Sequence, residues 1–182
     1  MAKRLMLGLA IAVLISGCSV SIPEGYRPMS TPMPSVGLTQ IAPVDRDKPI
    51  NFSGKTLAGD DFELGSIKGP IVLNAWASWC TECKDEWPVF VAAQEKYIDV
   101  TFVGLNEADD KTAALDFIAK FGGNWTHVFD PDQNIATANK ILPGPYLPVT
   151  VVLDNQHRIA ARIVGGASES ELNAILNTLT AE

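Results

Sequence analysis

Two cysteines, Cys80 and Cys83, are separated only by Thr81 and Glu82 in the stretch NAWASWCTECKDEWP, residues 74–88. A pair at this spacing can do three kinds of chemistry. It can cycle between dithiol and disulfide, ligate a metal ion, or form a fixed cross-link. A metal site needs further thiolate or imidazole ligands. The only histidines are His127 and His157, which have no paired spacing and read as surface or turn residues. A fixed cross-link closing so short a loop stabilises little. The residues favour redox chemistry, which requires a sulfur that is accessible and partly ionised.

Such a sulfur must be held by the elements around it. The run PIVLNAWAS ahead of the pair is continuously apolar, the pattern of a strand buried on both faces. Thr81 to Tyr97 read as a helix, with Trp87, Phe90, Val91 and Ala93 at helical spacing and Pro88 expected to kink it. The pair thus sits where a buried strand gives way to a helix. DVTFVGLN reads as a second buried strand, and Thr112 to Phe121 as a helix stopped by Gly122-Gly123. A short segment around Val128 and Phe129 precedes a helix expected over Gln133 to Ile141. PVTVVLD and RIAARIVG form a strand pair turned by Asp154 to His157. The last helix spans Ser168 to Leu179, with Ser168 and Glu171 spaced as a capping box. Alternating strands and helices predict parallel pairing, and the tight final link predicts an antiparallel pair. INFSGKTLAGDDFELGSIKG, with its turns at Gly54 and Gly59, predicts a hairpin ahead of the first buried strand. The fold class is α/β, a central mixed sheet flanked by helices with an N-terminal β-hairpin extension.

A chain of 182 residues has room for one ordinary domain. Its 47% hydrophobic and 19% charged content is that of a globular protein. The formal net charge of -7 and the lack of any basic run exclude nucleic acid as a partner.

The first 17 residues read as a signal peptide. Lys3 and Arg4 form a positive start, and Leu5 to Ile15 form an apolar run too short to span a membrane. The ending Ile15-Ser16-Gly17-Cys18 resembles the lipobox of bacterial lipoproteins. The resemblance implies that Cys18 becomes the mature N-terminus and carries acyl chains that anchor it to the membrane. Residues 18–47, rich in Ser, Pro and Thr, read as a flexible tether, with packing of part of it on the domain through Tyr26 or Ile41 as the alternative, and the domain is placed at 48–182. With Cys18 lipidated, Cys80 and Cys83 are left to serve each other, outside the cytoplasmic membrane, where disulfides persist.

The domain resembles the thioredoxin-like proteins. Trp79 precedes the first cysteine, Pro88 lies five residues beyond Cys83, and Pro148 immediately precedes the strand VTVVLD, where that family has a cis-proline. NAWASWC followed by CKDEWP is similar to the extracytoplasmic, membrane-anchored TlpA/ResA-like branch. This implies a thiol-disulfide oxidoreductase that needs no cofactor beyond its own redox-active disulfide. Cys80, at the helix N-terminus, is expected as the nucleophile and Cys83 as the resolving thiol. Trp79, Thr81 and Glu82 are expected to support the site. The loop of Leu147 and Pro148 is expected to face it, with the Leu147 backbone offered to a substrate peptide.

The sequence departs from cytoplasmic thioredoxins at Asn74, which stands where they carry a buried Asp and cannot act as a base. Glu107 and Asp109, just after the second buried strand, are the candidates for a proton relay. Glu82 disfavours a thiolate beside it and so favours a reducing couple. The resemblance implies client proteins containing disulfides, with apocytochrome c in cytochrome c maturation as the leading case, and a membrane thiol-disulfide electron donor. An oxidant or isomerase in disulfide formation is the alternative. Peroxidase relatives place a lone attacking cysteine after Pro and Thr, unlike this dithiol. A non-catalytic lipoprotein binding clients or haem is the reading from a different class.

Overall fold

The computed structural model describes residues 36–181. The expected signal peptide, the expected lipidation site Cys18 and most of the expected tether lie outside the described residues. Among the described residues no helix is long and apolar enough to cross a membrane.

Among the described residues, eight strands and four α-helices follow in chain order. The strands are β1 (Gly37–Gln40), β2 (Ser53–Lys55), β3 (Asp61–Glu63), β4 (Ile71–Trp76), β5 (Thr101–Glu107), β6 (Thr126–Asp130), β7 (Val149–Leu153) and β8 (Ile159–Val164). The helices are α1 (Thr81–Lys96), α2 (Lys111–Phe121), α3 (Asn134–Ala138) and α4 (Glu169–Leu179). Six strands form one mixed sheet in the order β1-β8-β7-β4-β5-β6. β4 pairs in parallel with β5, and β5 with β6, because α1 and α2 supply the crossovers. β7 and β8 join through the turn at Asp154 to His157 and pair antiparallel, as does β7 with β4. β2 and β3 make the expected hairpin as a separate two-stranded sheet.

Every residue of β4 and β7 is buried, the reason both read as unbroken apolar runs. α1 and α4 cover one face, with Phe90, Leu172 and Leu176 packed on Val72, Phe102 and Ile163. Phe52, Leu64 and Ile141 close the other face over Leu73, Val103 and Val151. Ser168 caps α4 in a complete capping box with Glu171.

Two sequence expectations change. The segment 36–47, expected as tether, is built into the domain. β1 pairs residue by residue with the edge of β8, the Ile41 amide donates to the Ala160 carbonyl, and Arg46 reaches Asp154 at 3.0 Å. A four-residue strand containing Gly37 carries no legible alternation, and an unpaired sheet edge is what recruits it. The helix expected over Gln133 to Ile141 is only Asn134–Ala138. Gln133 and Lys140 both adopt left-handed backbone, and the β-branched and Asn residues between them have weak helix propensity.

Candidate functional site

β4 ends at Trp76, and a short turn later Cys80 becomes the N-cap of α1. The Cys83 amide donates to Cys80 Sγ at 3.1 Å, so the first sulfur lies at the positive end of the helix. Cys80 and Cys83 are joined as a disulfide with Cα atoms 5.3 Å apart. Cys80 keeps 6% of its surface and Cys83 none, so of the two cysteines only the first retains any exposure. Trp79 is 62% exposed beside them, with its Nε1 donating to the Ala108 carbonyl at 2.9 Å. Thr81 and Glu82 are exposed in the first turn of α1. Lys84 lies over the Phe121 ring, with its ammonium 5.3 Å from the centroid.

The Leu147–Pro148 peptide is cis. Pro148 is buried, and Leu147 packs against the cluster that contains Cys80, Cys83 and Trp76. The Leu147 backbone makes no backbone hydrogen bond among the described residues, and the Pro148 carbonyl accepts from the Gly165 amide.

Of the two carboxylates expected after the second buried strand, Glu107 is the last residue of β5 itself and only Asp109 follows it. Asp109 accepts from the Ser78 amide at 2.6 Å, the Ser78 hydroxyl at 2.7 Å and Asn106 Nδ2 at 2.9 Å. It fastens the turn that delivers Cys80. Glu107 is fully buried beside Asp130, and burial first, then the Asp130 charge, push its pKa up to about 9. Neither hydrogen-bonds a sulfur among the described residues.

A third acid was not singled out from sequence. Glu86, one turn beyond Cys83, is 4% exposed. Its Oε1 accepts from Asn74 Nδ2 at 2.9 Å, and its Oε2 from the Ala167 amide at 2.6 Å. Burial pushes its pKa up to about 8 against these hydrogen bonds, and the Glu82 charge adds to the rise. Asn74 Oδ1 has no partner, while its Nδ2 also reaches Thr150 Oγ1 at 3.1 Å. Turned over, the Asn74 amide would accept from a protonated Glu86 oxygen and from the Thr150 hydroxyl. The pair therefore has a hydrogen-bonding arrangement for either protonation state of Glu86. The signal in sequence was Asn74 itself, a polar residue inside a buried strand that needs a partner, together with the spacing Cys83, Glu86, Trp87, Phe90 on one helix face.

His127 corrects a further expectation. It is a core residue of β6, 5% exposed, not a surface one. It stacks on Trp87 with ring planes 14° apart, and Nε2 donates to the Gly123 carbonyl at 2.9 Å. Burial drives its pKa down to about 4. β6 is short and follows the loop Gly122-Gly123-Asn124-Trp125, so nothing local marks the position as interior. His157 does sit in the β7–β8 turn, with left-handed backbone.

The floor beneath the disulfide is aromatic. Trp76 lies 4.8 Å from Trp87 and 5.0 Å from Phe117, ring to ring. The site thus has an accessible sulfur at a helix N-terminus, a shielded second sulfur, and a buried acid near neutrality one turn away. That arrangement can exchange thiols with a disulfide brought to Cys80.

The model of the AhpC/TSA family matches residues 46–162. The chain is 29% identical over 133 residues to the thiol-disulfide oxidoreductase ResA of Bacillus subtilis, covering 71% of this chain and 72% of that protein. It is 28% identical over 149 residues to the thiol:disulfide interchange protein HelX of Rhodobacter capsulatus, covering 82% of this chain and 80% of that one. The crystal structure of a DsbF homologue from Corynebacterium diphtheriae superposes with a TM-score of 0.75 at 27% identity, covering 85% of this chain and 98% of the other. The chain belongs to the AhpC/TSA family, its fold is thioredoxin-like, and its Cys80–Cys83 pair is that of a thiol-disulfide oxidoreductase.

Proposed function

We propose that this member of the AhpC/TSA family is a lipid-anchored, extracytoplasmic reductase of client-protein disulfides, with apocytochrome c as the leading client. The observation that carries the exchange chemistry is the position of Cys80 as N-cap of α1 with Cys83 shielded behind it. In the reduced protein the Cys80 thiolate attacks one client sulfur. A Cys80–client mixed disulfide forms and the first client thiolate leaves, taking a proton. The Cys83 thiolate then attacks Cys80 Sγ and displaces the second client sulfur. Two electrons pass to the client, and the Cys80–Cys83 disulfide remains. A dithiol donor in the membrane restores it, and no cofactor beyond the disulfide is required.

The acids around the pair support the reducing direction. Glu82 is exposed beside Cys80, and Glu86 is buried one turn beyond Cys83. The Glu82 charge disfavours a thiolate, as does Glu86 once it ionises, and a less stable reduced form is a stronger reductant. Lys84 lies over the Phe121 ring, and among the described residues Glu82 forms no ion pair. Glu86, with Asn74 beneath it, is the acid we assign to carry the Cys83 proton, in preference to Glu107 or Asp109. The unbonded Leu147 backbone supports pairing with an extended client segment.

Location rests on the leader and on relatives. The Ile15-Ser16-Gly17-Cys18 ending supports lipidation at Cys18. Among the relatives, MPT53 of Mycobacterium tuberculosis, 29% identical over 140 residues, is named a soluble secreted antigen.

The test is the reduction potential of the Cys80–Cys83 couple, read alongside disulfide reduction by the double variant Cys80→Ser, Cys83→Ser. A value nearer about -270 mV than about -120 mV, with no turnover by the variant, is expected. A value at the oxidising end assigns the protein to disulfide formation instead. Full turnover by the double variant overturns the redox reading altogether.

A further inference from the structure

Arg162 lies on β8 between Ala161 and Ile163, both of which pack under α1 and α4. Side chains alternate along a strand, so Arg162 points to the opposite face of the sheet. There it lies in a groove of about 1190 Å³, between residues 47–51 and the segment that runs from α3 to Pro145. Its Nη2 donates to the Lys140 carbonyl at 2.7 Å, which fixes the guanidinium. Its Nε is buried without a hydrogen-bond partner. Among the described residues no carboxylate lies within 4.0 Å of it. Lys48 and Lys140 also line the groove, against a single carboxylate, Asp47.

Positive charge thus outnumbers negative in the groove by three groups to one, on a chain of formal charge -7. A half-buried guanidinium with no carboxylate partner among the described residues carries a desolvation penalty that an anion seated on its open side would reduce. The groove wall from Pro143 to Pro145 runs straight into Tyr146, Leu147 and cis-Pro148, beside the disulfide. An extended polypeptide leaving the Leu147 backbone along that wall gains about 3.3 Å per residue and reaches the groove within a few residues.

We propose that this groove is a second docking subsite for the client polypeptide, in which Arg162, helped by Lys48 and Lys140, takes a carboxylate side chain several residues from the disulfide under attack. The subsite rests on the oxidoreductase reading above. It gives the protein a means of choosing among disulfides that Cys80 alone treats alike. Charge complementarity and continuity with the Leu147–Pro148 loop argue for a carboxylate borne on a peptide over a free small anion.

The test uses the full chain, reduced, with two synthetic peptides that share one intramolecular disulfide. One carries Glu residues on the flank, and the other carries Gln at the same positions. The expected result is a KM about tenfold lower for the Glu peptide at equal kcat, with the difference erased by high salt. Arg162→Gln removes the preference while leaving turnover of the Gln peptide unchanged, which shows the exchange chemistry intact. The surface double variant Lys48→Gln, Lys140→Gln reduces the preference without touching the groove floor. Equal KM for the two peptides, or a preference that survives both variants, overturns the proposal. So does calorimetric binding of inorganic phosphate that depends on Arg162 without any Glu preference, which makes the groove a small-anion site. Failure of both peptides to be reduced overturns the oxidoreductase reading and the subsite with it.

Discussion

Glu86→Gln separates the buried acid from its charge while keeping its shape. Glu86 is mostly protonated at pH 7, since its pKa is pushed up to about 8. When it ionises, a negative charge appears one helical turn from Cys83, where neighbouring Cβ atoms lie about 5–6 Å apart. At an effective dielectric near 20, two charges about 6 Å apart interact by about 3 kcal/mol, or about two pK units, and solvent reaching Cys80 weakens this. The reduced wild-type protein should therefore titrate in linked steps, with apparent values that belong to the carboxyl and thiols together. Alkylation of the full chain by iodoacetamide across pH, followed by mass, reads those steps. Glu86→Gln should collapse them to a simpler profile, with the upper thiol step lowered by about one to two pK units. Profiles that superimpose would refute the coupling.

Stability gives an independent reading of the same substitution. Glu86 binds its proton more tightly folded than unfolded, so its contribution is fully present below pH 4.5 and is lost as pH rises through about 8. Glu107 acts in the same sense up to about 9. His127, driven down to about 4, acts oppositely, but only below its ordinary value of 6.5. Between pH 6.5 and 9 only the acids operate, and the oxidised wild type should lose a few kcal/mol, at about 1.4 kcal/mol per pH unit for each group. In Glu86→Gln the side-chain carbonyl can accept from Asn74 or from the Ala167 amide but not from both. The variant should start about 1–2 kcal/mol less stable and fall less steeply. A wild-type melting temperature that is flat from pH 6.5 to 9 would sink this account.

Two further substitutions probe the frame that holds the cysteines. Asp109→Asn puts an amide donor where the carboxylate accepts from Ser78 and Asn106, and should cost about 1–3 kcal/mol in urea unfolding. A loss below about 0.5 kcal/mol would mean that the turn does not depend on it. Gly104→Ala would drive a methyl into the His127 ring and to within 2.8 Å of Trp76 Nε1, so a loss of about 2 kcal/mol or more in melting experiments is expected, and an unchanged midpoint would contradict the packing.

The wall of the cluster around Cys83 shows where local sequence stops being informative. CKDEWP contains three consecutive charged residues, and by composition each reads as solvated. Only the helical register places Glu86 inward with Cys83 and Trp87 while Lys84 and Asp85 stay out. That register was visible. The Asn74 amide and Ala167 amide that make the burial tolerable come from β4 and from the start of α4, about 80 residues further on in the case of Ala167. The acids at the end of β5 were visible as a cluster, but the Ser78 turn that claims Asp109 and the Asp130 that faces Glu107 belong to other elements.

By itself the sequence determined the order of the elements from β2 onward, the mixed sheet, the hairpin, the α4 capping box and the dithiol at a strand-to-helix junction. These follow from hydrophobic period, turn chemistry and spacing, which act over a few residues. Tertiary structure decided which polar groups are interior and what they meet. It put β1 on the β8 edge, His127 against Trp87, Glu86 over Asn74, and Arg162 into a groove where no described carboxylate lies within 4.0 Å of it. The physical reason is that desolvation and hydrogen-bond pairing depend on neighbours far apart in the chain, and the unbroken apolar runs that specify a sheet say nothing of which charges its faces will cover.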